Sequence, residues 1–203
     1  MSDGGDHTYG ALVAELACLV RLAHDALRGA TAALADPAGD ADAVPAAERA
    51  LAELRSRIEE DAAGALDGRA GAVVAVHVGT EAETLGRLAQ RLLEAVWARR
   101  EREPVAGRLW LPLAGIAEAA LELVAGAADV LESASPEGVA DVLTALHEVG
   151  QRQRLLYELL LRENGTDLVD VTDLVLLSCC YQQCADRAGA IVRHSLLFSN
   201  SAV

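Results

Sequence analysis

The chain has 203 residues, 52% of them hydrophobic but only 3% aromatic, and a formal charge of −14 from 31 acidic against 17 basic residues. That balance argues against a nucleic-acid partner, because phosphate binding needs clustered cations. Abundant Leu and Ala with so few strand-favouring aromatics predict an all-α fold with an aliphatic core.

Apolar positions recurring at steps of three and four predict six helices. The first, over 9–35, carries Leu12, Leu16, Leu19, Ala23 and Leu27 on one face and stops at "DPAGDADAVP". The second, over 45–66, places Leu51, Leu54, Ile58 and Ala62 together, with Pro45 in its first turn, where a missing N–H costs nothing. The third, over 72–102, follows "DGRAG" and is closed by Pro104. The fourth, over 109–132, has Pro112 in its first turn or two, which is expected to delay its start. Ser135 caps the fifth, over 136–163, ahead of Pro136, and "NGTD" ends it. The sixth, over 168–198, contains "LLSCCYQQCADRAG".

Helices this long joined by short breaks pack antiparallel. Three plus three of matched length suggests a duplication, with domains at 1–103 and 104–203. "ETLGRLA" at 83–89 lies over "QQCADRA" at 182–188 at an offset of 99 residues. No apolar run approaches the roughly 20 residues of a membrane span. The start, "MSDGGDHTYG", lacks the charged-then-apolar pattern of a leader. The expected location is the cytoplasm, with membrane contact only through a partner. There Cys179, Cys180 and Cys184 are expected as free thiols.

Two stretches carry a family resemblance. "VVAVHVGTEAETLGRLAQRL" (73–92) resembles the first signature helix of PhoU-type phosphate-signalling regulators, through His77, Val78, Glu83, Gly86, Leu88 and Ala89. Leu176, Leu177, Ala185, Asp186 and Ala188 resemble the second. The resemblance covers nearly the whole chain, because PhoU proteins are tandem pairs of three-helix bundles with one signature in each third helix. It implies a regulator and not an enzyme: an adaptor that contacts the ATPase of a phosphate ABC transporter, a sensor histidine kinase, or both. Homodimerisation is compatible with that role.

Many PhoU proteins bind metal through acidic pairs four residues apart. That spacing lets two carboxylates on one helix face converge on a hard cation. Carried onto this sequence, those positions depart from the pattern. Glu83 is followed by Arg87, Gln182 precedes Asp186, Glu48 precedes Ala52, and the fifth helix offers Gly150 and Arg154. Three of the eight are acidic and none is paired, so these remnant positions are expected to hold no metal.

A thiolate metal site on Cys180 and Cys184 is the sharper reading of the cysteines. Tetrahedral sites want four ligands, however, and the plainer reading is that Cys179, Cys180 and Cys184 fill small spaces in a core. His77 is expected to pack at the head of its helix unless a neighbour tunes it. No Ser-His-Asp set, Walker loop or His-Glu-x-x-His element is present, so nothing is named catalytic and no cofactor is expected. Two other readings remain open: a helical-bundle carboxylate metalloprotein, or a PhoU-fold paralogue recruited to a partner unrelated to phosphate.

Overall fold

The computed structural model describes residues 3–35, 43–65, 69–99, 101–102, 107–133, 135–163 and 167–201. They form six α-helices and, among the described residues, no strand. The helices are α1 (Asp3–Ala35), α2 (Ala43–Ala65), α3 (Arg69–Arg99), α4 (Gly107–Ser133), α5 (Pro136–Arg162) and α6 (Leu168–Ser201). The expected stop at Pro104 and the turns at 36–42 and 164–166 lie outside the described residues.

All helix ends except the start of α1 fall within three residues of the sequence reading, and three of the differences have a physical reason. Helix α1 begins at Asp3, earlier than apolar periodicity indicates, because periodicity cannot register a polar first turn. Helix α3 stops at Arg99, where the Arg102 N–H bonds the Arg99 carbonyl at 2.8 Å and tightens the last turn. Helix α4 starts at Gly107, so Pro112 lies inside the helix and does not delay it. A proline that close to the start removes a single intrahelical bond.

Helix α5 begins as read. Ser135 has extended backbone, its Oγ accepts the Gly138 N–H at 3.2 Å, and Pro136 follows. Glu137 in the first turn adds a favourable charge at the positive end of the helix. Replacing Ser135 by Ala should cost about 1 kcal/mol, read as a lower urea midpoint, whereas Ser135→Asp should keep most of that stability.

Helices α1, α3, α6 and α4 form a closed ring of neighbours, each packed on the next. Helix α2 lies against α1 and α3, and α5 against α4 and α6. Rising numbers on one helix meet falling numbers on its neighbour. Arg21 reaches Asp129 and Glu132 while Thr31 and Leu34 share a cavity wall with Leu113 and Ala117, so α1 and α4 are antiparallel; Glu81 reaches Arg187 and Arg99 reaches Asp170, so α3 and α6 are too.

One hydrophobic cluster draws on all six helices and is almost wholly aliphatic, as composition predicts. Small residues let the helices close up. A Cβ on Gly189 of α6 would stand 2.7 Å from Leu146 of α5, so glycine is held there despite its poor helix propensity.

Helix α4 corrects one sequence reading. By length and composition it is apolar enough to cross a membrane, with a mean hydropathy of 1.5 over its best 18 residues. Its buried stripe, from Leu109 through Ile116 and Leu123 to Leu131, packs on α1, α5 and α6. Alanines raise the hydropathy of such a window without forming a long run of large apolar side chains, which is why no span was evident in the letters.

Candidate functional site

The residues singled out by their four-residue spacing lie on α3 and α6, with α2 and α5 over them. Glu83 projects from α3 between two cations. It is bonded by the Arg55 guanidinium from α2, and the Arg87 Nη1 lies 3.8 Å from its other oxygen. Arg87 is largely exposed and also donates to Thr84 Oγ1 at 3.2 Å. A carboxylate held this way is neutralised from two sides, and its oxygens are already engaged.

Helix α2 meets this site one turn away from the position read in the sequence. Glu48 is placed beside Glu94, whose charge, after burial itself, pushes its carboxyl above the usual range. The residues of α2 that face the Glu83 level are Arg55, and Leu51 at 3.6 Å from a Cβ built on Gly86. Leu51 and Arg55 stand 99 residues before Gly150 and Arg154, the same offset that relates Glu83 to Gln182 and Arg87 to Asp186. The eight residues related in this way, Leu51, Arg55, Glu83, Arg87, Gly150, Arg154, Gln182 and Asp186, include two acids and three arginines.

On α6, Gln182 donates its Nε2 to Asp186 Oδ1 at 3.1 Å. Its Oε1 is buried, without a partner among the described residues, and lies over Gly150 of α5. Asp186 itself is exposed, and Arg154 turns back to the Gly150 carbonyl at 3.4 Å. The amide thus gives its donor to the single carboxylate along the helix, while its own oxygen stays unanswered among the described residues. Among the described residues, no group of three His, Cys, Asp or Glu side chains is arranged to hold a metal.

The cysteines divide. Cys184 is fully buried, and burial pushes its thiol far above the ordinary range. Cys180 is half-buried and raised as well, mainly by burial, with the Arg91 charge pulling the other way. Neutral thiols of this kind are poor nucleophiles and poor ligands. Cys179 is more than a filler: its Sγ is 3.2 Å from the Tyr157 hydroxyl and takes the Gln153 amide at 3.8 Å. Ser178 donates to the same tyrosine at 3.3 Å. This chain of contacts ties α6 to α5.

No family model matches the chain, and no curated protein does.

Three arrangements escaped sequence reasoning. His77 is not alone: its ring stacks on that of His194 from α6, centroids 4.5 Å apart and planes 6° from parallel. Arg99 and Arg102 meet Asp167, Asp170 and Asp173 where α3 ends and α6 begins. Tyr181 crosses the core to Thr31 on α1. Each joins residues far apart in sequence, so no local spacing announces it. The only local hint was the repeat of aspartates at 167, 170 and 173, one helical turn apart.

Proposed function

We propose that the protein is a PhoU-like adaptor: a tandem pair of three-helix bundles, 1–103 and 104–203, that regulates phosphate uptake and phosphate-responsive signalling by contact with a transporter ATPase or a sensor kinase, without a metal. The fold part of this reading is supported by the mutual packing of α1, α2 and α3, repeated by α4, α5 and α6 in the same chain order. The functional part rests on the signature resemblance at 73–92 and 176–188. The observation that carries the metal-independent part is the Arg55–Glu83–Arg87 group, in which two guanidiniums occupy the space a cation would need. Placing a divalent ion there would set it against two fixed positive charges.

An adaptor also needs anchors. Leu161 and Leu168, which flank the α5–α6 connection, and Leu111 on α4 are large apolar side chains left in solvent. Apolar groups of this size are what a partner surface buries at its centre.

The test has two arms. Protein purified after growth with iron and zinc should carry well below one equivalent of metal by elemental analysis; a tightly bound equivalent would overturn metal independence. Deleting the gene in its native host should alter phosphate uptake and the output of phosphate-responsive promoters. Unchanged uptake and output, with no binding between the purified protein and the phosphate transporter ATPase or sensor kinase, would remove the phosphate role and leave the fold.

A further inference from the structure

The seam between α3 and α6 is fastened differently along its length. Where α3 ends, Arg99 and Arg102 grip three aspartates of the α6 start. Further along, Arg187 of α6 holds Glu81 of α3 at 3.1 Å, with Glu81 largely buried. Beyond that pair the fastening is the His77–His194 stack, two imidazoles face to face.

Two imidazoles lie in parallel contact without penalty only while they do not both carry charge. The charges acting on His194 are His77 and Glu81 from α3 and Arg193 from α6 itself. Helices α4 and α5 also pack on α6, and α1 and α2 on α3, but among the described residues none of them sets a charge against the ring. Glu81 favours protonation, yet Arg187 is already paired with it, and Arg193 opposes protonation. Among the described residues the one anion acting on His194 is therefore Glu81, which already answers the charge of Arg187. A metal chelate is the other use two histidines suggest. Parallel rings send their in-plane lone pairs side by side and not toward one point, and among the described residues no third ligand joins them.

We propose that the His77–His194 stack is a pH-sensitive latch, which parts the adjoining stretches of α3 and α6 when acidification puts a proton on His194, while the arginine–aspartate end stays shut. Burial first, and then His77, hold His194 below its ordinary value of 6.5. A group depressed on folding contributes stability in full above 6.5, and that contribution is lost as pH falls through 6.5 toward the folded value. The latch is therefore closed at pH 7.5 and weakens below 6.5.

Hydrogen exchange of the full chain, with a chelator present and intrinsic rates corrected, tests it at pH 7.5 and 5.5. Amides at 74–82 and 188–196 should lose protection by about tenfold at the lower pH, with 90–98 and 170–178 unchanged. His194→Gln and, independently, His77→Gln should abolish the pH-dependent loss. His24→Gln, altering another imidazole lowered by burial but located on α1, should leave it intact. The proposal is overturned if the wild type shows no loss, if both ends lose protection together, or if the loss persists in His194→Gln and His77→Gln.

Discussion

Replacing Arg99 by Ala is expected to destabilise the protein by about 2 kcal/mol, seen as a lower urea midpoint with little change in slope. Arg99 closes the last turn of α3 and reaches two carboxylates in the first turns of α6: Asp170 at 2.9 Å, and Asp173 in closer contact. Its side chain is only 15% exposed, and each of those aspartates keeps about a quarter of its surface in water (24% and 25%). Removing one partner of a fully buried pair costs roughly 3–5 kcal/mol, because the other charge is stranded. Partial exposure brings the figure down, and Arg102 remains to share Asp170 and Asp173 at 3.3 and 3.1 Å.

The helix dipoles act in the same sense, with Arg99 at the negative end of α3 and Asp170 at the positive end of α6. Asp167 supplements them by accepting the Val169 N–H at 3.2 Å. If the cost of Arg99→Ala comes from stranded charge, Arg99→Met combined with Asp173→Leu should recover most of the loss. An equal loss in single and double variants would show that packing, not charge, holds this end.

Much of the fold was legible in the letters because helix formation is local. Leu12, Leu16, Leu19 and Leu27 fall on one face by spacing alone, and all four are buried. The breaks were legible for the same reason: Ser135 and Pro136 act within one turn. What spacing cannot give is register between helices. Glu48 and Arg55 lie near the same stripe of α2, two turns apart, so either can be slid against Glu83 on paper. Only packing decides, and it sets Leu51 against Gly86, which brings Arg55 to the carboxylate. The α2 neighbour of Glu83 is therefore an arginine, where spacing alone had offered an acid.

The ring of α1, α3, α6 and α4 was out of reach for a related reason. Apolar faces specify that a helix is covered, not which helix covers it. The His77–His194 stack and the Arg99 network are consequences of that choice of neighbours, so they became visible only with it.

The other large effect is expected at Tyr181. It is the largest fully buried side chain in a core otherwise built from Leu, Val, Ile and Ala with Cys184 among them. Helices α1 and α6 are not neighbours in the ring, yet the Tyr181 hydroxyl spans its diagonal to Thr31 Oγ1 at 3.0 Å. Thr31 in turn donates to the Leu27 carbonyl at 2.8 Å, so the tyrosine donates the shared proton to Thr31. Burial pushes the phenol far above its ordinary range, with the Thr31 bond opposing that only in part, so the group stays neutral wherever the fold is intact.

Tyr181→Ala should cost about 4 kcal/mol, as truncation of a buried aromatic does when its surroundings cannot collapse into the space. Leu16, Leu27 and Leu174 belong to the same core but are themselves fully buried on ring helices, which limits that collapse. Tyr181→Phe removes only the hydroxyl and should cost about 1 kcal/mol. Thr31→Val with Tyr181→Phe should cost less than the two single changes added, because each single change already breaks the one shared bond. Urea denaturation of the four chains measures the coupling. Strict additivity would mean that the hydroxyl pair does not contribute to holding the diagonal, and that the tyrosine serves the core by volume alone.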